Sequence, residues 1–366
     1  MIPLPLPINI IILVALLFLT LPPHANSMGL DTAATATTIF VSGACGKVGS
    51  RLLRELLVNN NDGTKSIVAL VRDANKLKAM MKDTAYGGID FTNLSIQEAD
   101  YANPGQLKEA FASVHSTGGD CGLFLSCGNV PDQADLELNI LKEAIAHTRG
   151  MNSNLFTAKL STATPIMEAN GGEGASSYAT EHRIVEDYLR ANCDGKYCIL
   201  RPNMFMQVLT AGSFLGINIP HTDNVEDEHD SPLQATHPMA NCKVSMVDCV
   251  DVASVAAHIL SSASPKEQYG NNVYELTGPS AISIREEVAR AISNELKRPV
   301  EIENASLESA LESNGIPSAA AKGLQPFLDT LGTYGRVASQ VEQLIGRPAR
   351  SIQDFVRDEK SAFGSS

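Results

Sequence analysis

No cluster of Lys and Arg interleaved with aromatic side chains occurs in this 366-residue chain, and its formal net charge is −13. Such a surface repels phosphodiester backbones, which excludes direct nucleic-acid binding. The seven Cys, an odd number scattered singly, include no CxxC pair and no His/Cys spacing suited to zinc. Cys121, Cys127 and Cys198 lie in or beside apolar runs, where Cys serves as a small packing residue, and this argues for a reducing compartment. No charged side chain precedes Asp31, and Ile8–Leu21 is an almost unbroken apolar run, short for a bilayer span at about 14 residues. Residues 1–27 therefore read as a secretory-type signal peptide with Ala25 and Ser27 at a cleavage site, or as an uncleaved anchor or organelle address. Sequons at Asn93 and Asn304 matter only in the secretory pathway.

The remaining chain has the composition of a globular protein, 44% hydrophobic and 19% charged. Apolar runs at Thr37–Ser42, Ser66–Val71, Leu94–Ala99, Gly122–Ser126, Leu155–Ser161 and Lys196–Leu200 read as strands. The segments between them carry helical spacing, with Leu52, Leu53, Leu56 and Leu57 in the first. This alternation predicts an α/β fold, a Rossmann-like doubly wound parallel sheet over residues 37–210. Residues 211–362 are expected to form a small C-terminal substrate region interleaved with it. Within that region Asp251–Leu260 and Ser283–Leu296 read as helices, and Val273–Leu276 as a strand. The acidic, His-rich stretch Pro220–Asn241 reads as a loop, a candidate lid without metal-ligand spacing, so no metal is expected.

Three groups of residues carry chemistry. Gly43-Ala44-Cys45-Gly46-Lys47-Val48-Gly49 joins a strand to an amphipathic helix, and a helix starting directly after a glycine turn offers unpaired N–H groups to a pyrophosphate. The spacing is GxxGxxG rather than GxGxxG. The second strand runs into Arg72-Asp73, where a guanidinium suits the 2′-phosphate of NADP(H) over NAD(H), unless Asp73 pairs with it. Tyr178, His182 and Glu186, four apart on a predicted helix, share a face that would present a phenol, an imidazole and a carboxylate to a substrate, or be an ordinary helix face.

Together with Glu98-Ala99-Asp100-Tyr101, Leu200–Met206, Val247–Ala253, Leu276-Thr277-Gly278-Pro279, Gly315-Ile316-Pro317 and Ile345-Gly346-Arg347-Pro348, these motifs resemble the NmrA-like branch of atypical short-chain dehydrogenase/reductases. The likeness is to its NAD(P)H:quinone oxidoreductase and dye-reductase type and spans about residues 37 to 362. The resemblance implies a pyrophosphate on Cys45–Val48, adenine beside Asp100 and Tyr101, the ribose phosphate at Arg72, and the nicotinamide between Ser126, Ser161 and Pro202. It implies a substrate pocket lined by Phe205 and Met206. His182 falls where lignan- and isoflavone-type reductases carry a catalytic Lys, so the Tyr-xxx-Lys pattern is replaced by Tyr178-Ala179-Thr180-Glu181-His182. The expected function is NADPH-dependent hydride transfer to a quinone-like or other conjugated small molecule by a monomer or homodimer. The alternative is a non-catalytic dinucleotide-binding redox sensor acting through a protein partner.

Overall fold

In the computed structural model the described residues are 37–363, apart from 61, 115–118, 129, 131, 163–176, 214, 218, 220–230, 319–320, 322–324, 326–327 and 329–334. The apolar segment Ile8–Leu21, the proposed cleavage site and residues 220–230 of the acidic loop lie outside the described residues.

The chain alternates β1 (Thr37–Ser42), α1 (Lys47–Val58), β2 (Lys65–Val71), α2 (Ala74–Met80), β3 (Leu94–Glu98), α3 (Pro104–Ala112), β4 (Cys121–Leu125), α4 (Gln133–Gly150), β5 (Leu155–Leu160), α5 (Ser177–Asn192) and β6 (Tyr197–Pro202). With β9 (Val273–Leu276) these strands form one sheet in the order β3-β2-β1-β4-β5-β6-β9. Every pairing in it is parallel, from Thr37 opposite Lys65 to Pro202 opposite Leu276. The reversal of strand order beside β1 and β4 opens a crevice at their carboxyl ends, where open α/β sheets place ligands.

Period-two alternation sends neighbouring side chains to two separate cores. Ile39, Val41, Ile67 and Ala69 pack with Leu52, Leu53 and Leu56 of α1 and with Val252, Val255 and Ile259 of α6 (Cys249–Leu260). Phe40, Val68 and Leu70 pack on the opposite face with Leu107 and Phe111 of α3, Ile140 and Leu141 of α4, and Val185 and Leu189 of α5. Phe40 meets Phe111 edge-on, ring centroids 4.9 Å apart. Both faces being covered, the strands read as continuous apolar runs.

A third core gathers Met204, Met206, Leu209, Met239, Val244, Ile292, Ile302 and Phe355 from segments beyond β6. Here the loop reading of Pro220–Asn241 needs correction. Leu233–His237 is a strand, β7, running parallel to β11 (Val300–Asn304), with Ala235 and His237 buried. Its Leu-Gln-Ala-Thr-His alternation is short, and its partner lies far along the chain. Ser283–Leu296 is likewise not one regular helix, since Ile284–Val288 is a π-helical turn preceding the α-helix Ala289–Leu296.

Candidate active site

The floor of the crevice is the turn after β1. The Ser42 hydroxyl accepts the Ser126 N–H (2.9 Å) and so ties the carboxyl ends of β1 and β4 together. Gly43 turns the chain with φ +63°, and a Cβ there would stand 2.6 Å from the Ser126 carbonyl oxygen. Gly49, in the first turn of α1, lies against the same bend, where a Cβ would fall 2.2 Å from the Gly43 oxygen. Tyr101 braces the turn from below, its buried hydroxyl accepting the Gly43 N–H (3.2 Å) and donating to the Leu70 carbonyl (2.6 Å). Burial pushes this phenol up to about 12, so it stays protonated.

Helix α1 begins at Gly46 with no side-chain cap and no acidic residue in its first turn. Its neighbour α2 is capped by Asp73, which accepts the Asn75 and Lys76 N–H groups at 2.9 and 3.1 Å. The leading N–H groups of α1 therefore face the crevice with the positive end of the helix dipole behind them, which suits a pyrophosphate. Lys47 turns away from that site, its ammonium donating to the Gln207 carbonyl (3.0 Å) and the Ser213 hydroxyl (3.1 Å). Cys45 is half-buried, and burial raises its thiol above the ordinary value.

One cleft of about 620 Å³ collects Gly43, Cys45, Gly46, Lys47, Val48, Gly49, Arg72, Lys76, Tyr101, Ser126, Gln133, Thr162, His182 and Phe205. At its outer end Arg72 and Lys76 are exposed, and neither enters an ion pair among the described residues. The carboxylate that would have paired with Arg72 is engaged in capping α2. Lys76 carries no sequence motif of its own, and its place one turn into the helix after β2 is the signal that would have found it.

At the inner end lies a buried polar cluster. His182 of α5 is 2% exposed. Its Nδ1 is 3.1 Å from the Lys159 ammonium and 2.8 Å from the Gln133 amide nitrogen, and its Nε2 is 2.7 Å from the Thr162 hydroxyl. Burial, reinforced by the Lys159 charge, holds this imidazole well below its ordinary value and keeps it neutral. Lys159, on β5, pairs with Glu137 of α4 at 2.8 Å, both side chains fully buried. The Cys127 N–H donates to Glu137 Oε1 (3.2 Å), and burial followed by the Glu137 charge pushes the Cys127 thiol up to about 12.

Of the other residues expected at the site, Ser161, Glu186, Met206, Pro202 and Asp100 lie outside the cleft. The Ser161 hydroxyl donates to Glu186 (2.6 Å), which also receives Arg201 and Arg190 at 2.7 Å each, so Ser161 and Glu186 join a clamp between β5, β6 and α5. Met206 is 1% exposed in the third core, and Pro202 is buried at the end of β6; neither lines the cleft. Asp100 is exposed outside it, capping its own turn through the Ala102 N–H. Tyr178 is on α5, and its side chain lies outside the described residues.

The model of the NmrA-like family matches residues 35–355. The chain belongs to this family. Among relatives of this NmrA-like protein, the NAD(P)H azoreductase of Xenophilus azovorans is 26% identical over 332 residues, covering 89% of this chain and 99% of that one. The NADPH complex of an Escherichia coli NADPH-dependent quinone oxidoreductase superposes with a TM-score of 0.61 at 20% identity, covering 88% and 99% of the two chains. The NADP(H) complex of Citrobacter sp. triphenylmethane reductase gives 0.62 at 19%, covering 87% and 99%. At these identities the two structures speak for the fold.

Proposed function

We infer that this NmrA-like protein is an NADPH-dependent oxidoreductase that passes a hydride to a quinone-like or other conjugated small molecule. The observation that carries this reading is that one cleft joins an anion site at its outer end to a neutral buried imidazole at its inner end. In this reading NADP(H) would lie along the cleft: the uncapped start of α1 would hold the pyrophosphate, Arg72 and Lys76 the 2′-phosphate, and the walls from Ser126 to Thr162 the nicotinamide. The names of the azoreductase, quinone oxidoreductase and dye reductase support the same chemistry. When bound, the cofactor supplies the hydride, and the chain's own residues bind and orient the reactants and exclude water. Phe205, half-buried in the wall, offers a flat apolar surface to a conjugated ring. In this reading residues 211–362 furnish the substrate region.

The test is NADPH oxidation by the purified protein across quinones and azo dyes, with cofactor affinity measured on the same sample. Turnover is expected; tight NADPH binding with no turnover on any acceptor would refute the reading. The N-terminal apolar run precedes the family match, which begins at residue 35, and in our reading it directs the protein to the secretory pathway or an organelle. A fluorescent protein carrying residues 1–36 should leave the cytosol, and a diffuse cytosolic signal would refute that address.

A further inference from the structure

We propose that the buried Lys159 is the proton source of this site, acting through His182 and Thr162 on the oxygen of a bound acceptor. The inference rests on the reductase reading and concerns the proton that must accompany the hydride when a quinone is reduced.

An ammonium has donors only, so Lys159 at 3.1 Å fixes Nδ1 of His182 as an acceptor. The ring proton of the neutral imidazole is then on Nε2 and donates to Thr162 Oγ1 at 2.7 Å. The opposite tautomer would set an Nδ1–H against a buried cation. The longer approach of the Thr162 N–H to Nε2, 3.3 Å, is the contact that yields in the resting state. That same N–H becomes a ready partner once Nε2 has lost its proton, while the new Nδ1–H is accepted by the Lys159 amine as the Gln133 amide turns aside. Thr162 and His182 line the cleft, whereas Lys159 and Glu137 are sealed behind them. The groups facing the ring are Lys159 from β5, Gln133 from α4 and Thr162 after β5, with Glu137 of α4 behind Lys159 and Gln133. Cys127 stays a thiol, and the Glu181 carboxylate turns to the Ala134 N–H.

The transfer balances. The Thr162 O–H bond breaks as an O–H bond forms on the acceptor oxygen left anionic by the hydride. The Nε2–H proton passes to Thr162, and an N–H proton of Lys159 passes to Nδ1. Lys159 ends as an amine, His182 as the Nδ1–H tautomer, and Thr162 as it began. The acceptor has gained a hydride and a proton and is reduced by two electrons, which oxidises the dihydronicotinamide. After product release the reverse path, entered from the open cleft, reprotonates Lys159, and Glu137 holds the ammonium in place.

Two acceptors separate this role from a structural one. A quinone needs a proton with its hydride, whereas a triphenylmethane cation such as crystal violet is neutralised by hydride alone. In Lys159→Arg the charge is kept but cannot be released as a proton, and in Thr162→Val the last donor is lost. For each variant the quinone-to-dye rate ratio should fall about 100-fold or more, and Thr162→Ser should restore the ratio. Thr162→Val tests the chain of donors should the larger Arg not fold at a packed site. In the cofactor-free protein, ¹⁵N spectra of the His182 ring should show a neutral Nε2–H tautomer at neutral pH. A resting Nδ1–H tautomer, or a ratio unchanged in Thr162→Val while wild type reduces both acceptors, would overturn the relay. Wild-type protein that binds NADPH and reduces neither acceptor would remove the reductase reading and the relay with it.

Discussion

Replacing Arg72 by Ala tests the anion site at the outer end of the cleft. Arg72 follows β2 directly, is exposed, and has no ion pair among the described residues, because Asp73 spends its carboxylate on the N–H groups of Asn75 and Lys76. Its guanidinium is thus available in the free protein, and a 2′-phosphate would gain its hydrogen bonds without displacing another acid. A hydrogen bond to a charged group contributes about 1.5–3 kcal/mol, and exposure to solvent places Arg72 at the lower end. The expected loss for NADPH is therefore about 10- to 30-fold, and Lys76→Ala added to it should carry the loss to about 100-fold. NADH has no 2′-phosphate, and its affinity should change less than about threefold. Fluorescence titration of both cofactors at low and high salt is the assay. The wild-type preference for NADPH should shrink with salt, because exposed charges are screened. Equal losses for NADPH and NADH would refute the reasoning, since they would mean that Arg72 acts on the turn and not on the phosphate.

Gly49→Ala should abolish NADPH binding and lower the melting temperature, since its Cβ would stand 2.2 Å from the Gly43 oxygen and overpacking of this kind costs about 1–3 kcal/mol or more; calorimetry and a cofactor titration check both. Stability should fall as pH drops below about 6.5, because burial depresses both His182 and His237, the latter from 6.5 to about 4. Such groups bind protons in the unfolded chain before the folded one, so the stability present above pH 6.5 is lost toward the folded value; for His237 this amounts to about 3 kcal/mol, measurable by urea unfolding at pH 7.5 and pH 4.5. Glu186→Gln should cost about 3 kcal/mol by the same measurement, since it leaves Arg201 and Arg190 without their shared carboxylate.

The doubly wound sheet was legible because each strand of it is a short apolar run followed by helical spacing, and both periods are local properties of the chain. The glycine turn was legible for a related reason, since a strand, three glycines and an amphipathic helix occupy consecutive residues. What escaped depends on residues distant in sequence. β7 pairs with β11 across more than sixty positions, and nothing in Leu233–His237 names its partner. Met206 follows Phe205 directly, yet one side chain enters the cleft wall and the other the third core, a division fixed by the turn after β6. Lys159 did leave a signal. A lysine inside Leu155–Leu160, a strand covered on both faces, is buried and must have an acid, and a buried carboxylate on the following or preceding helix was the place to look.

Two buried carboxylates, Glu137 and Glu186, stand behind this site in unlike surroundings, and the difference fixes what each can do. Burial works to raise Glu186, but hydrogen bonds and charge from Arg201, the Ser161 hydroxyl and Arg190 outweigh it, and its carboxyl is held below the ordinary range. Guanidinium groups do not give up protons in proteins, so this group is a permanent ionic clamp between β5, β6 and α5. Glu137 meets a single ammonium, and there burial prevails, pushing its carboxyl above the ordinary range despite the Lys159 charge. A carboxylate so disposed holds its cation in place. Lysine, unlike arginine, can pass a proton on. The four-residue spacing of His182 and Glu186 on α5 thus serves two separate ends: His182 meets the pair that can release a proton, and one turn later Glu186 closes the clamp that cannot.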